Sequence, residues 1–276
     1  METYKEYKER IENTIKKYEK EGHEVPDLSL IKTPWQIKKI KEACVINTAL
    51  LDYISENIKV GMKTQEIDDM VSSFTKKHGA ICAQLGYEGF PKNVCTSINE
   101  EVCHGIPSRL KKLKDGDIIN VDVSTILDDY FADASRTFEM GNVSEEKRKL
   151  VRVTKECLEL GISVCKPWGH VGDIGAIISE HAHKNGFSVV TQLGGHGVGL
   201  EFHEEPFISH VGIKGTGMLL VPGMIFTIEP MINMGTPHVV IDKYNGWTIY
   251  TKDNMPSAQF EHQILITEEG PEILTY

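Results

Sequence analysis

The stretch DIINVDVSTILDDYFADASRTFEM, residues 117–140, constrains the fold more than any other part of the chain. Its apolar, β-branched and aromatic residues predict two strands, over 117–126 and 130–139. Each strand nevertheless carries a carboxylate in its middle, Asp122 in the first and Asp133 in the second. A carboxylate inside a half-buried strand is costly unless it is solvated, paired or bound to a metal ion.

The register of this hairpin decides whether the two carboxylates meet. The Asp-Asp pair at 128–129 suits the turn, and a symmetric hairpin around it pairs Asp122 with Ser135. The same register pairs Asp133 with Ser124. Unless a one-residue bulge shifts the ladder, both aspartates project from one face as diagonal neighbours, roughly 7–8 Å apart. Each Asp alone fits a solvated strand residue better than a ligand, but together they can converge on one or two metal ions.

Apolar periodicity along the rest of the chain predicts a single α+β domain over residues 31–276. Thr33 is a suitable N-cap, Pro34 suits the first helical position and Gln36 completes a capping box, so a helix is predicted to begin here. Further helices are predicted over 64–78, 145–165 and 171–185, and further strands over 94–98, 188–192, 224–233, 247–251 and 259–267.

The first 30 residues are predicted to form a helical extension followed by a linker. Their apolar stripe, at three- and four-residue spacing, consists of Tyr4, Tyr7, Ile11, Ile15 and Tyr18. Gly22 and Pro26 end the helix. Two interpretations stay open at this point: the stripe packs on the protein's own body, or it is a targeting or docking helix for a partner such as the ribosome.

Charge and composition exclude several classes of function. The formal net charge is −10 and the acidic residues are spread along the chain, which argues against direct nucleic-acid binding. No apolar run reaches the roughly 18–20 residues that span a bilayer, so no membrane association is expected. The charged N-terminus lacks the apolar core of a secretory signal, and the 6 cysteines form no C-x-x-C pair. We therefore expect a cytoplasmic protein without disulfides.

Three further segments place potential metal ligands in unusual surroundings. QLGGHGVGLEFHEEP holds His196 among glycines, which allow close backbone approach and unusual φ/ψ angles, although the histidine is equally compatible with an incidental place in a Gly-rich loop. MIFTIEPMI places Glu229 in an apolar strand, and Pro230 favours an extended conformation for it. SAQFEHQILIT does the same for Glu261. Each carboxylate alone is compatible with a solvent-facing strand residue.

The five residues together indicate a metal site. Asp122, Asp133, His196, Glu229 and Glu261 supply four carboxylates and one imidazole. An oxygen-rich set of this kind suits two divalent ions, of Mn, Fe, Co or Zn, better than a thiolate zinc site. Two such ions activate water and polarise a carbonyl, so hydrolysis is the predicted reaction type.

Six motifs in order carry a resemblance to a known family: GYEGFPKNVCTSINEEVCHGIP, DGDIINVDVS, FADASRTF, GGHGVGLEFHEEP, PGMIFTIEPMI and SAQFEHQI. From about residue 31 to the C-terminus the chain resembles type I methionine aminopeptidase. The resemblance implies the α/β pita-bread fold, in which a pseudo-two-fold antiparallel sheet is flanked by helices. It also implies a monomer that acts on the N-termini of nascent polypeptides.

The same resemblance implies a role for each candidate residue. Asp133 and Glu261 would bridge the two metal ions, Asp122 would complete one site, and His196 with Glu229 the other. The reaction would be removal of the initiator methionine before a small second residue, by attack of metal-activated water on the first peptide carbonyl. Glu229 would carry the proton. The remaining catalytic groups would be His203, at the substrate carbonyl, and His104, at the scissile nitrogen.

The resemblance further implies a methionine pocket, formed by Tyr87, Phe90, Cys95, Phe202 and Trp247. Aromatic rings and a soft sulfur atom suit a thioether side chain, and nothing pairs Cys95 for thiol chemistry. Three features depart from the family pattern. ADASR replaces the commoner GDTSR-like form around Asp133, though the Asp itself is kept. Phe90 stands where bacterial relatives often have Tyr, and Gln84 stands at the pocket rim where some members have Cys.

Two alternative functions remain. Aminopeptidases and dipeptidases that cut Xaa–Pro bonds share the fold and the metal ligands, but they usually carry a separate N-terminal domain of a hundred residues or more. A pita-bread domain that only binds protein or RNA is the second alternative. Such domains typically lose metal ligands and gain basic insertions, whereas all five ligands are present here.

Overall fold

A computed structural model describes residues 3–276 as a mixed assembly of five α-helices and fifteen strands. The helices are α1 Tyr4–Lys20, α2 Pro34–Asn57, α3 Thr64–Lys77, α4 Glu145–Ser163 and α5 Val171–Lys184. The strands are β1 Ile81–Cys82, β2 Cys95–Ile98, β3 Glu101–Cys103, β4 Ile118–Leu127, β5 Tyr130–Glu139, β6 Ser188–Val189, β7 Gly194–Gly197, β8 Glu204–Ser209, β9 Ile225–Ile228, β10 Met231–Asn233, β11 Val239–Ile241, β12 Ile249–Thr251, β13 Ser257–Gln259, β14 Glu261–Ile266 and β15 Pro271–Ile273.

The strands form one large antiparallel sheet and two small ones. The nine-stranded sheet runs in the order β1-β4-β5-β14-β9-β7-β8, with β2 pairing beside β4 and β15 beside β14. The three-stranded sheets are β13-β10-β6 and β11-β12-β3. The predicted antiparallel α+β architecture is thus confirmed.

The helices cover the sheet as two separate pairs. Leu50 of α2 and Ile67 of α3 pack in one apolar cluster with Val121 of β4. Leu158 of α4 and Ile178 of α5 belong to a second cluster with apolar residues of the β9 half of the sheet. One helix pair on each half of a continuous sheet is the arrangement that the pseudo-two-fold expectation requires.

The N-terminal helix packs on the body of the protein. Ile11 and Ile15 are 1% and 6% exposed and belong to the cluster of α4 and α5. Tyr18 stacks on Trp168 with ring centroids 5.3 Å apart. The structure therefore agrees with the interpretation that the stripe packs on the protein's own body. The domain boundary at residue 30 stays a prediction. The capping box at Thr33 and Gln36 is present as predicted.

The hairpin of β4 and β5 has the predicted register along its whole length. Asp122 pairs with Ser135, and Ser124 pairs with Asp133, without an intervening bulge. The turn residues Asp128 and Asp129 have φ of 50° and 68°, the left-handed conformation that two-residue hairpin turns require.

Some predicted elements differ from the structure. The predicted strand 224–233 is interrupted at Glu229 and Pro230, because proline cannot donate to the ladder. The glycine-rich stretch around His196 is strand β7 rather than a loop. The expected close approach is confirmed, since a Cβ on Gly195 would lie 2.2 Å from the carbonyl oxygen of Thr227. Within residues 3–276, no helix combines the length and apolarity needed to cross a bilayer.

Candidate active site

A cavity of about 450 Å³ opens beside the large sheet and collects the predicted site residues. The predicted ligands, the two histidines and the predicted pocket walls all line it: Asp122, Asp133, His196, Glu229, Glu261, His104, His203, Tyr87, Phe90, Cys95, Phe202 and Trp247. Their placement in one cavity supports the site that the sequence suggested, while the role of each residue stays a prediction.

Strand pairing brings the carboxylates together from distant parts of the sequence. Asp122 of β4 pairs with Ser135 of β5, which in turn pairs with Glu261 of β14. Asp133 lies two residues from Ser135 and therefore points to the same face. Three neighbouring strands thus present three carboxylates to one point.

Asp133, His196 and Glu261 form the tightest group. One potential ligand atom of each lies within 4.8 Å of the other two. The His196 Nε2 atom is 3.7 Å from Asp133 Oδ2 and 3.7 Å from Glu229 Oε1, so Glu229 adjoins the group. Asp122 also lines the cavity, with its Oδ1 3.5 Å from the amide nitrogen of Gln84.

The carboxylates are crowded: Asp133, Glu229 and Glu261 are buried, Asp122 is half-buried, and no Lys or Arg side chain within residues 3–276 lies beside them. Burial, followed by the charge of Asp133, raises the pKa of Asp122 well above its usual range. Burial raises the pKa of Asp133 to about 7, against the opposing hydrogen bond from Ser124. The same order of causes, burial and then Asp133, raises the pKa of Glu229 and Glu261. None of the cavity-lining residues in the described chain is Lys or Arg.

These surroundings fit bound divalent cations. Several carboxylates that converge in a buried cavity repel one another, and a metal ion removes that cost. His196 also suits metal binding, because a neutral imidazole is the form that binds a metal ion. Burial first and His203 second lower its pKa to about 3 and keep the ring neutral. Its Nδ1 lies 2.9 Å from the carbonyl oxygen of Gly197, so a proton there leaves Nε2 free as a ligand.

The two other histidines lie at the same cavity. Burial lowers the pKa of His104 to about 4, with a smaller contribution from His203. His104 has φ of 55°, and its ring lies 6.2 Å from that of Trp247. His203 Nδ1 is 2.9 Å from the hydroxyl of Tyr87, and its ring centroid is 4.2 Å from that of His196.

Aromatic rings form the predicted pocket. Phe90 meets Trp247 edge to face at 5.2 Å, and Tyr87 meets Phe202 in the same way at 4.8 Å. Burial raises the pKa of the Cys95 thiol well above its usual range, so this residue is a neutral wall rather than a nucleophile. The cavity therefore combines a carboxylate–imidazole cluster with an apolar recess.

Comparison with known proteins identifies the family. The model of metallopeptidase family M24 matches residues 38–268. A curated relative, methionine aminopeptidase A of Synechocystis sp., is 54% identical over 87% of this chain and 94% of its own length. The chain belongs to metallopeptidase family M24 and, within it, to the methionine aminopeptidases. The resemblance inferred from six motifs is thereby confirmed, and the chain is a metal-dependent hydrolase.

Solved structures of methionine aminopeptidases share the fold. The crystal structure of the methionine aminopeptidase from Rickettsia prowazekii superposes with a TM-score of 0.87 at 43% identity, over 89% of this chain and 99% of that one. The pita-bread fold is thus confirmed. Prolidase from Pyrococcus furiosus also matches, at 27% identity and a TM-score of 0.70, but this chain covers only 66% of it. The Xaa–Pro alternative therefore shares the fold but is the more distant match.

The residues that hydrogen-bond to the proposed ligands were not predicted from the sequence. Ser124 donates to Asp133 Oδ1 at 2.6 Å, and Thr227 donates to Glu229 Oε1 at 3.0 Å. Gln259 donates to Glu229 Oε2, also at 3.0 Å. Each supporting residue lies two positions from a proposed ligand in sequence, so the period-2 rule of strands could have found all three.

Gln84 lies at the cavity and has a further role there. The residue lines the cavity but is 4% exposed, and its side chain is bound to the backbone of β4. Its amide donates to the Asp122 carbonyl at 3.1 Å, and its oxygen accepts from the Ser124 N–H at 3.1 Å. Gln84 therefore anchors the strand that carries Asp122 rather than forming an open rim.

Proposed function

We propose that the protein removes the N-terminal methionine from peptides and nascent proteins whose second residue is small. The observation that carries this proposal is a buried carboxylate–imidazole cluster that shares one cavity with an aromatic recess. The recess suits an unbranched thioether side chain through dispersion and sulfur–aromatic contacts. The 54% identity to a methionine aminopeptidase supports the same conclusion.

Two divalent ions, of Mn, Fe, Co or Zn, are the proposed cofactors. Asp133 and Glu261 would contact both ions, Asp122 one of them, and His196 with Glu229 the other. Ions held by such a donor set supply Lewis acidity toward a peptide carbonyl and toward water. Hydrogen bonds donated by Ser124, Thr227 and Gln259 fix the orientation of the carboxylate oxygens of Asp133 and Glu229.

Three side chains are proposed to handle protons and charge. Glu229 receives a proton from the attacking water and delivers it to the departing amine. His203 can donate from Nε2 to the substrate carbonyl, because Tyr87 occupies its Nδ1. His104, held in the left-handed conformation, is proposed to contact the scissile nitrogen.

Preference for a small second residue follows from crowding beside the catalytic groups. The rings of His203 and His196 are in contact, and Tyr87 packs against both His203 and Phe202. A bulky second side chain would compete with these rings for space. We further propose that the enzyme acts in the cytoplasm as a monomer; the six buried free thiols suit a reducing compartment. Association with the ribosome would require α1 to act as a docking helix. The packing of Ile11 and Ile15 on the body of the protein does not favour that role.

Peptide hydrolysis tests the proposal. Enzyme stripped with a chelator and reloaded with Mn(II) or Co(II) is offered Met-Ala-Ser, Met-Lys-Ser and Ala-Pro-Ser, and released amino acids are measured. We expect metal-dependent release of methionine from Met-Ala-Ser alone. Cleavage of Ala-Pro-Ser would place the protein among the proline-specific enzymes. No cleavage of any peptide, with metal shown to be bound, would favour the binding-module alternative.

A further inference from the structure

Lys32 is buried in the segment that joins α1 to α2. Its side chain is only 2% exposed, and its ammonium group donates to the carboxylate of Glu204, which is 11% exposed. The backbone N–H of Lys32 donates to the carbonyl oxygen of Gly223 at 2.9 Å, so the backbone is fixed as well. Burying an ammonium group is costly unless its partner is well placed, and the partner here is Glu204.

Glu204 closes the turn between β7 and β8. It is the first residue of β8, and its Oε1 accepts the backbone N–H of Leu200 at 2.7 Å and that of Glu201 at 3.0 Å. The other oxygen, Oε2, accepts from Lys32. One carboxylate thus connects the linker after α1 to the beginning of the loop 200–203.

That loop ends in two residues of the cavity, Phe202 and His203. The Phe202 ring lies 4.8 Å from the ring of Tyr87, and His203 Nδ1 lies 2.9 Å from the Tyr87 hydroxyl. A hydrogen bond of this length holds only if the loop backbone keeps its place. The backbone is kept in place by Glu204, whose charge Lys32 compensates.

We propose that Lys32 is a positioning residue of the reaction, holding Glu204 and through it the loop that presents Phe202 and His203 to the substrate. This inference rests on the proposed function, because the roles of Phe202 and His203 do. Lys32 itself touches neither the proposed ligands nor the recess. Losing its ammonium group leaves a buried carboxylate uncompensated at the base of the loop, so the loop shifts or opens.

The test compares Lys32→Met with Lys32→Arg and with the double variant Lys32→Met/Glu204→Gln. In Lys32→Met we expect kcat/KM for Met-Ala-Ser to fall by roughly 10–100-fold, the scale of a misplaced catalytic group. Selectivity for Met-Ala-Ser over Leu-Ala-Ser should also fall, because Phe202 is a wall of the recess. Arginine restores the charge, and glutamine removes the uncompensated charge while still accepting the two backbone N–H groups, so at least one of these variants should recover activity and selectivity.

Amide hydrogen exchange provides a readout that does not depend on activity. We expect exchange at Leu200 and Glu201 to accelerate by about tenfold or more in Lys32→Met, since their acceptor is released. The matched control is Lys39→Met. Lys39 also bridges carboxylates, those of Glu42 and Asp128, but within residues 3–276 it forms no hydrogen bond or ion pair with Leu200, Glu201 or Glu204. Exchange at the two amides and peptide selectivity should stay unchanged in this control.

The possible outcomes separate the two proposals. Unchanged exchange and unchanged selectivity in Lys32→Met would overturn the role of Lys32. The same holds if Lys39→Met shows equal changes, or if neither the arginine variant nor the double variant reverses them, because the effect would then be a general loss of stability. If the wild-type enzyme releases no methionine, the proposed function fails, while the exchange data still decide whether Lys32 holds the loop.

Discussion

At the residue scale, the buried carboxylates of the cavity, Asp133 and Glu229, are held by neutral donors rather than by cations. The hydroxyl groups of Ser124 and Thr227 and the amide of Gln259 orient Asp133 and Glu229 without cancelling their charge. Neutral donors fix the oxygens in place and leave the repulsion between carboxylates to be relieved by metal ions. These donors therefore leave the negative charge of the site in place, so that a divalent cation can still neutralise it.

Substitution of Asp122 by Asn tests whether this carboxylate is a ligand. Asparagine keeps the size of the side chain but loses its charge, so we expect turnover of Met-Ala-Ser to fall by at least about 100-fold, the upper end of the loss caused by residues that only support a ligand. Metal retained after dialysis should also decrease. Asp129→Asn removes the same charge at the exposed turn of the same hairpin and should leave both quantities unchanged. Full turnover in Asp122→Asn would contradict the assignment.

At the element scale, the β4–β5 hairpin sets the geometry of the site. Its unbroken register places Asp122 and Asp133 on one face, and the turn at Asp128 and Asp129 maintains that register. A slip of one residue between the two strands would place Asp122 and Asp133 on opposite faces of the sheet. The turn is thus a structural requirement of the site, although it lies at the far end of the strands.

Replacing Asp129 by Gly tests the conformational cost of this turn. Asp129 has φ of 68°, which costs a non-glycine residue about 1–2 kcal/mol, partly offset by the greater entropy that glycine loses on folding. We expect a net increase of about 0.5–1 kcal/mol in the free energy of unfolding, measured by urea denaturation. Asp129→Ala should decrease the same quantity. If both variants were destabilised equally, the turn would not have the left-handed conformation in solution.

At the scale of the whole molecule, α1 joins the apolar core around α4 and α5. Ile11 and Ile15 are buried among residues of α4 and α5, and Tyr18 stacks on Trp168. Arg10 forms an ion pair with Glu268 near the C-terminus. The N-terminal helix therefore contributes to stability, and Ile11 and Ile15 of its apolar stripe are already covered, while Tyr4 at its beginning is 46% exposed.

Truncation of Ile11 tests that packing. Ile11→Ala should lower the free energy of unfolding by about 2–4 kcal/mol, while kcat/KM stays unchanged because the helix does not line the cavity. Lys16→Ala, at an exposed position of the same helix, should change stability by no more than about 0.5 kcal/mol. Unchanged stability of Ile11→Ala would instead indicate that α1 leaves the body in solution and is free to dock on a partner.

The sequence by itself determined the features that depend on neighbouring residues or on chemical type. The capping box at Thr33 and the hairpin register follow from local propensity and alternation, so both were predictable. Four of the five proposed ligands were recognisable because a carboxylate in an apolar strand must be solvated, paired or metal-bound, and the fifth, His196, because glycines flank it. The order of six motifs was sufficient to indicate the family.

Only the tertiary structure decided what depends on contacts between distant segments. Short strands such as β1 and β15 exist because a neighbour pairs with them, and their two or three residues carry no periodic signal. The burial of Ile11, the anchoring role of Gln84 and the Lys32–Glu204 pair likewise join residues far apart in sequence. Local patterns specify which face of an element is apolar or charged, but the partner of that face is chosen only when the whole chain packs.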